Sequence, residues 1–281
     1  MKMQCMGNLA LVYAFPLTLS LVISAPALSA QPPAADAGVN GIAHIAFRVS
    51  DVDREIKFLN ELGYQQSFAI TNNGKVAEIF VKINDRQFIE LYPQSTPPQP
   101  LGWMHVCYEV GDLNVLAKFY DSAGLKMMPV RKAGAGNLIS AINDPEGRVT
   151  EFTQYLPDSK HMADKGQHLG ANRVSTALMG FDEPVHDGAA DKEFYTDLGF
   201  EATLENGNVR LTAPAAPDLH IELRATHPGA QPQFLFPVAD ARRAEQQLAA
   251  AGANPVRDDK IVFVHDPDGN IFVFLELPHG H

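Results

Sequence analysis

Short apolar runs separated by polar turns recur along the chain, and a helical pattern interrupts each group of runs. The first group opens with a strand-like run at residues 41–49, followed by a helical pattern that Asp51 can cap and that Gly63 ends. The remaining strand-like runs of this group lie at residues 66–71, 76–83 and 87–92. This order predicts a βαβββ unit.

The same order of elements returns three times, which indicates an internal repeat. In the second unit, Asp112 can cap the helix. The strand-like runs of that unit lie at residues 103–110, 127–131, 138–143 and 148–155. The third unit opens with a run at residues 174–181, and the fourth covers residues 233–277. The pattern therefore predicts an α+β fold built from four βαβββ units in two pairs.

Residues 1–30 differ in kind from the rest of the chain. An almost wholly apolar run spans residues 9–23, and small residues precede Ser29 and Ala30. This is typical of a secretory signal peptide cleaved near those positions. The alternative is an uncleaved membrane anchor, which the short run and its interruption by Pro16 disfavour. We therefore expect an exported protein, periplasmic or extracellular.

The remaining chain divides into two domains, and its composition limits the classes of protein to which it can belong. We expect a flexible leader at residues 31–40, an N-terminal domain at 41–156, a linker at 157–172 and a C-terminal domain at 173–281. Hydrophobic residues make up 46% of the chain, as in globular proteins. The net charge of -11 and the scattered Lys and Arg residues exclude the footprint of a nucleic-acid-binding protein. No second apolar span follows the signal, so we expect no stable membrane association after its cleavage.

Two histidines are each followed by a glutamate 46 residues later. The pairs are His44 with Glu90 and His105 with Glu151, and all four lie in strand-like runs. One such residue alone is commonly structural, but polar side chains amid buried strands are costly unless they are paired or bound to a cation. The duplicated set predicts one metal site shared by the first two units.

These features together resemble the vicinal oxygen chelate superfamily, which includes glyoxalase I, extradiol dioxygenases, and fosfomycin- and bleomycin-resistance proteins. The resemblance rests on the strand histidine, the helix closed by glycine, and the carboxylate on the last strand after the turns at residues 144–147 and 266–269. It covers nearly all of the mature chain and is strongest over residues 41–155. It implies that paired units curl into glyoxalase-like cups, with a metal inside, although the chemistries of the superfamily differ widely.

Only the first two units carry the full set of ligands. The positions that match the four ligands in the third and fourth units are Gly180, Glu222, Gln233 and Val273. Pairing of the first unit with the second completes a site, whereas pairing of the first with the fourth does not. We therefore expect a metal site in the N-terminal cup and a degenerate site in the C-terminal one. His220 can be a remnant of that site or purely structural.

Two imidazoles and two carboxylates suit one divalent ion, and Zn, Ni, Co, Mn and Fe(II) all remain open. The resemblance to glyoxalase I assigns the role of catalytic base to Glu151. Extradiol dioxygenases generally lack an acid at the position of Glu90, so its presence favours a lyase or isomerase of a small α-oxo or hydroxy-carbonyl substrate. The alternatives are an Fe(II) extradiol dioxygenase and a non-catalytic binding or resistance protein. The oligomeric state stays open.

Strand alternation places further side chains on the faces that carry the ligands. The candidate substrate-binding residues are Arg48, Phe88, Tyr92, Trp103, Cys107 and Thr153. Arg48 matches an arginine that contacts the glutathione carboxylate in glyoxalase I, although export argues against glutathione and a salt bridge is the alternative. Cys107 is the only cysteine beyond the signal, and it can equally be an inert buried thiol. The histidines of the linker and tail are expected to be solvated: His161, His168, His279 and His281.

Overall fold

The computed structural model describes residues 38–277. The signal peptide, leader residues 31–37 and the two tail histidines therefore lie outside the described residues. The first strand begins at Val39, so the leader ends earlier than position 40, where the sequence placed its end. Among the helices between residues 38 and 277, none combines the length and apolar character that a membrane crossing requires.

The first two units form one eight-stranded sheet, here called the N-terminal sheet. Its strands are β1 (Val39–Val49), β2 (Gln65–Asn72), β3 (Lys75–Lys82), β4 (Phe88–Pro93), β5 (Gly102–Val110), β6 (Arg131–Lys132), β7 (Leu138–Asn143) and β8 (Val149–Gln154). Its helices are α1 (Val52–Glu61) and α2 (Leu113–Ser122). The strand order is β2-β3-β4-β1-β5-β8-β7-β6, so the two units join where β1 pairs antiparallel with β5.

The last two units form a second sheet of the same design, here called the C-terminal sheet, and the linker before it contains the short helix α3 (Lys160–Ala163). Its strands are β9 (Gly180–Val185), β10 (Glu201–Glu205), β11 (Asn208–Ala213), β12 (Ala216–Ala225), β13 (Gln233–Val238), β14 (Val256–Asp258), β15 (Ile261–His265) and β16 (Ile271–Glu276), with helices α4 (Gly188–Asp197) and α5 (Ala241–Ala251). The order is β10-β11-β12-β9-β13-β16-β15-β14. The predicted fold class is therefore confirmed.

Aspartate caps begin the four longer helices at positions the sequence indicated for two of them. The Asp51 carboxylate accepts hydrogen bonds from the backbone N–H groups of Asp53 and Arg54, and Asp112 caps α2 in the same way. Gly63 follows the first helix with φ 87°, and a Cβ there would lie 2.4 Å from the carbonyl oxygen of Asn172. Only glycine therefore lets the linker pass this helix end.

Two predicted strands differ in the structure. In place of the predicted strand at 127–131, only Arg131–Lys132 pairs as a strand, and Pro129 before it offers no N–H to a ladder. The third unit's first strand is 180–185 rather than 174–181. Some of the earlier residues bond to the N-terminal half, since the Val174 N–H donates to the Leu62 carbonyl at 3.0 Å and the Leu178 N–H to Gln87 Oε1 at 2.9 Å.

A continuous aromatic core joins the two halves. The ring of Phe47 lies 4.9 Å from that of Phe234 and 5.9 Å from that of Phe272, and Phe58 also packs on Phe272 at 5.5 Å between centroids. Side chains on a strand alternate between the two faces of the sheet. Because Ile45 and Phe47 belong to this core, the neighbouring His44 points to the opposite face, here called the cup face.

The repeated turns dock each half onto the helix start of the other. Asp268, in the turn of the fourth unit, accepts from the Ser50 N–H at 2.7 Å and from its hydroxyl at 2.5 Å. Glu146, in the turn of the second unit, accepts from the N–H and ring Nδ1 of His186, both at 2.7 Å. Ser50 and His186 each precede a helix cap, so the two halves exchange equivalent contacts.

A buried carboxyl lies beside each docked turn. Glu55 of α1 is 2% exposed, and its Oε2 has no hydrogen-bond partner in the described part of the chain. Burial, and then repulsion from Asp266 and Asp268, raises the pKa of Glu55 to about 9. Asp191 holds the equivalent place in α4, where burial and then neighbouring acids raise its pKa to about 7. Glu55 is therefore protonated at neutral pH.

Glu55→Gln is expected to weaken the pH dependence of the free energy of unfolding between pH 4.5 and about 9. In that window the folded state holds a proton that the unfolded chain has released, so stability falls as pH rises. The fall is at most about 1.4 kcal/mol per pH unit. Urea unfolding across this pH range measures it. The exposed Asp53→Asn in the same helix should keep the wild-type slope, and an unchanged slope in Glu55→Gln would contradict the assignment.

Candidate metal centre

Four adjacent strands in the middle of the N-terminal sheet each carry one predicted ligand. Glu90 lies on β4, His44 on β1, His105 on β5 and Glu151 on β8. The β1–β5 register sets Ala46 opposite His105 and His44 opposite Cys107, so the two histidines lie diagonally across the strand pair on one face. The two parallel pairs, β1 with β4 and β5 with β8, set Glu90 beside Ala46 and Glu151 beside Cys107, so Glu90 lies level with His105 and Glu151 level with His44.

The four side chains lie on the cup face, where His44 is close to each of the other three. His44 Nε2 lies 3.2 Å from His105 Nε2, 3.1 Å from Glu90 Oε2 and 3.5 Å from Glu151 Oε1. His105 Nε2 lies 3.5 Å from the same Glu90 oxygen. The side chains of His44, Glu90 and His105 are at most 9% exposed, whereas that of Glu151 is 18% exposed. Glu151 is thus the most accessible of the four.

These separations fit a single divalent ion. Nitrogen and oxygen ligands about 2.0–2.2 Å from a metal lie roughly 3.0–3.5 Å from one another in tetrahedral or octahedral geometry. The cluster has this spacing at four atom pairs, and both imidazoles present Nε2 to the same point. Ligand atoms of His44, Glu90 and His105 all lie within 4.8 Å of one another and suit one metal ion, whereas Glu151 falls in a second group with His44 and Cys107.

The electrostatics of the cluster also favour a cation. Burial alone would raise the pKa of Glu90, but the His44 and His105 imidazoles hold it well below its usual range. Glu78, on β3, also faces this cluster, and burial followed by repulsion from Glu90 and Glu151 raises its pKa to about 7. Three carboxyl groups thus surround two imidazoles, and a bound cation would relieve their repulsion.

A cavity of about 80 Å³ opens beside the cluster. Its lining includes six side chains that the sequence did not single out for the site: Glu78, Phe80, Arg131, Asn137, Ile139 and His161. Glu78 and Phe80 alternate on β3, so strand periodicity could have found them. Asn137 follows a glycine-containing loop and His161 lies in the linker, where no periodic signal exists.

Two of the predicted substrate-binding residues line this cavity. The Tyr92 hydroxyl donates to Glu90 Oε1 at 3.0 Å, so it fixes the orientation of that carboxylate. The Thr153 hydroxyl donates to the Leu138 carbonyl at 3.1 Å.

Three others do not belong to the lining. Phe88 is fully buried and packs on the His161 ring at 4.7 Å between centroids. Cys107 is also fully buried, and burial followed by the Glu151 charge raises the pKa of its thiol, which keeps it neutral. The Arg48 guanidinium donates to the Pro100 carbonyl at 3.4 Å.

The prediction that Trp103 shares the cup face with His105 is wrong. The register along the β1–β5 pair shifts at this point, so that Ala46 faces His105 and the next residue, Phe47, faces Trp103. Such an irregularity breaks the alternation of faces. The Trp103 ring instead packs on Phe234 of the C-terminal half at 5.5 Å between centroids.

The expectation that His161 is solvated is also wrong. The residue is 2% exposed, and its ring is surrounded by the aromatic rings of Phe68, Phe80, Phe88 and Tyr155. Burial is the main cause that lowers the pKa of His161 to about 3. His168 is exposed, as expected, although its Nδ1 pairs with Asp164 at 2.5 Å.

The C-terminal sheet keeps a carboxylate at only one of the four ligand positions. The strand registers pair Asp182 with Glu222, Gln233 with Ile271 and Leu235 with Val273, as Ala46 pairs with Glu90 in the N-terminal sheet. The residues at the ligand positions are therefore Gly180, Glu222, Gln233 and Val273. A Cβ at Gly180 would lie 1.5 Å from the His220 carbonyl oxygen, so no side chain fits there.

Ligand atoms of Asp182, His220 and Glu222 nevertheless lie within 4.8 Å of one another. The Arg224 guanidinium pairs directly with Asp182, and its Nε lies 3.9 Å from Glu222. This side chain already supplies the positive charge that the carboxylates require, which explains the group without a metal. Glu276, outside the ligand register, caps helix α5 by accepting from the Ala241 N–H at 3.0 Å.

Comparison with known families agrees with this architecture. Residues 41–152 match the sequence model of the Glyoxalase/Bleomycin resistance protein/Dioxygenase superfamily. The predicted resemblance is thus confirmed for residues 41–152, the N-terminal half of the described chain, which matches this superfamily. The sequence comparison with curated proteins gave no match.

Solved structures with the same fold come from two classes of enzyme. The Mn(II)-bound glyoxalase from Novosphingobium aromaticivorans is 16% identical, with a TM-score of 0.63 over 86% of this chain and 83% of that one. A catechol 2,3-dioxygenase is 15% identical, with a TM-score of 0.63 over 85% and 88%. Homoprotocatechuate 2,3-dioxygenase from Brevibacterium fuscum, in complex with 3,4-dihydroxyphenylacetate, is 16% identical, with a TM-score of 0.60 over 86% and 83%. At these identities the likeness establishes the fold.

Glu90→Gln is expected to lower the affinity for Mn(II) or Zn(II) by about 100-fold or more, since even residues that only support a ligand contribute 10–100-fold. Competition with a fluorescent chelator measures this affinity. Glu222→Gln, at the matching position of the C-terminal sheet, is the control and should bind like the wild type. Equal weakening by both variants would place the metal elsewhere.

Proposed function

We propose that the protein is an exported, metal-dependent enzyme of glyoxalase type, a lyase or isomerase of a small α-oxo or hydroxy-carbonyl substrate. His44, Glu90, His105 and Glu151 would hold one divalent ion, which can be Zn, Ni, Co, Mn or Fe(II). The Mn(II) of the glyoxalase from Novosphingobium aromaticivorans belongs to that protein, and it makes Mn(II) a reasonable first ion to test.

The observation that carries this proposal is the position of Glu90. Its Oε2 lies within 3.5 Å of the Nε2 atoms of both His44 and His105, which supports its role as a metal ligand. The extradiol dioxygenases of the superfamily that this chain resembles use two histidines and one carboxylate as metal ligands. A second carboxylate neutralises more of the charge of the ion and occupies a position that oxygen chemistry would need open.

Glu151 is the residue best suited to move a proton. It is the most exposed of the four ligands and lines the cavity that would hold the substrate. When bound, the ion would act as a Lewis acid that stabilises negative charge on a substrate oxygen. Glu151 would remove the proton on the carbon beside the carbonyl and return it to the neighbouring carbon, which completes an isomerisation. The Tyr92 hydroxyl would meanwhile hold Glu90 in place.

Glu151→Gln is expected to lower kcat by about 10²–10⁴-fold with a smaller change in KM, because proton transfer by a placed side chain contributes this much. The assay would use the hemithioacetal of an α-oxo-aldehyde with a small thiol, at saturating Mn(II). NMR in deuterium oxide would follow exchange of the carbon-bound proton. Glu222→Gln is the control. Exchange at the wild-type rate in Glu151→Gln would assign the base to another residue.

The dioxygenase alternative has one observation in its favour, since a catechol 2,3-dioxygenase matches the fold over 85% of this chain. Oxygen uptake on catechols by the Fe(II)-loaded protein would support it and contradict the proposal. Elemental analysis of the purified protein distinguishes a metal-dependent enzyme from a non-catalytic binding protein. A protein that retains no metal, and whose ligand binding survives His44→Ala, would be a binding or resistance protein.

Export is supported by residues 1–30, whose apolar run and small residues match a secretory signal. We expect the mature chain to begin near residue 30 and to be recovered from the periplasm or the medium. Intact-mass measurement of the protein expressed from its full sequence tests this. A full-length protein that fractionates with membranes would instead indicate an uncleaved anchor.

A further inference from the structure

Two buried polar side chains face the cavity without their full complement of hydrogen bonds. Asn137 Nδ2 lies 2.9 Å from His161 Nδ1, so each side chain satisfies one atom of the other. His161 Nε2 and Asn137 Oδ1 have no hydrogen-bond partner in the region the structure describes. Both residues line the cavity beside the metal cluster, and they are 2% and 4% exposed. Leaving such groups unpaired is unfavourable unless a ligand pairs with them.

The bond between the two side chains determines what the free atoms can accept or donate. With Asn137 donating to Nδ1, the His161 ring carries its proton on Nε2, which leaves one donor and one acceptor, the Asn137 oxygen. If the carboxamide is turned over, His161 Nε2 becomes the acceptor and the amide nitrogen the donor. In either arrangement the pair offers one donor and one acceptor. A hydroxyl group satisfies both, because it donates once and accepts at its oxygen.

The surroundings keep this pair uncharged and fixed. Aromatic rings pack around the His161 imidazole, and its lowered pKa keeps it neutral. The linker that carries it is anchored by Lys82, which is wholly buried and whose ammonium pairs with the Asp164 carboxylate at 3.0 Å and its carbonyl oxygen at 2.5 Å. The Lys160 N–H donates to the Ala135 carbonyl at 2.8 Å, which ties the linker helix to the loop before Asn137.

We propose that His161 and Asn137 form a polar subsite that binds a hydroxyl group of the ligand chelated at the metal centre. The inference rests on the proposed function, because the chelated ligand occupies the same site, and it deepens that function by naming the substrate class as hydroxylated chelators. The subsite disfavours a carboxylate at this place, since an anion accepts but cannot satisfy the acceptor of the pair. The small cavity further restricts the ligand to a compact molecule.

The test compares two chelators of nearly the same size that differ at one group. Glycolohydroxamate carries a hydroxyl where propionohydroxamate carries a methyl, and both bind metals through two oxygens. Calorimetry with the Mn(II)-loaded full-length protein should show glycolohydroxamate binding about tenfold tighter, the effect of one or two hydrogen bonds. His161→Phe keeps an aromatic ring among the surrounding aromatic side chains but removes the polar nitrogens. This variant should therefore lose the preference for glycolohydroxamate. His168→Phe, on the same linker but outside the cavity, should retain it.

Asn137→Leu provides a second variant that should also lose the preference, with thermal unfolding and Mn(II) content reporting whether each variant folds. Equal binding of the two hydroxamates to the wild-type protein would overturn the subsite while leaving the metal centre intact, and this comparison needs no variant. A folded His161→Phe that keeps the tenfold preference would overturn it as well. A wild-type protein that binds neither Mn(II) nor the hydroxamates would overturn the metal centre, and the subsite with it.

Discussion

The antiparallel pairing of β1 with β5 is the interaction on which the rest of the structure depends. It joins two βαβββ units into one sheet and holds the Nε2 atoms of His44 and His105 3.2 Å apart. Alternate residues of the same strands, such as Ile45 and Val106, enter the aromatic core shared with the C-terminal half. A slip of one residue would exchange the two faces and bury the ligands in that core. Stability and chemistry are thus set by the same register.

Much of this arrangement could be predicted because it is encoded locally. The aspartate caps, the glycine stops and the alternation of the strands each depend on a few neighbouring residues, and their repetition gave the four units. The four candidate ligands were found because they recur at one spacing on strands of one type. The register irregularity opposite Trp103 leaves no such trace, since it depends on how two strands 50 or more residues apart meet. The first strand of the third unit lies at 180–185 and not at the predicted 174–181, because its start also depends on contacts between distant residues.

His161 shows the same limit more sharply. A histidine among polar linker residues gives every sign of a solvated side chain, and only the tertiary structure buries it. The burial depends on an ion pair between Lys82 and Asp164, which are 82 residues apart. Lys82 is unusual in the sequence, because it is a charged residue that directly follows three apolar residues, 79–81, in the same strand. All four of these residues are buried. An isolated charge in such a strand predicts a partner but does not identify it.

The linker's anchoring limits how the molecule can be divided. A fragment ending at residue 156 would contain all four metal ligands and a complete eight-stranded sheet, and it would look like an independent domain. Yet it would remove Asp164, which accepts from the buried Lys82 ammonium through both its carboxylate and its carbonyl oxygen, and would leave that ammonium with only Asp85 at 2.8 Å. It would also remove one wall of the cavity and uncover the rings that pack on His161. The linker between the two halves is therefore an integral part of the N-terminal half. The end of a sequence repeat need not be the end of the unit that folds and carries the site.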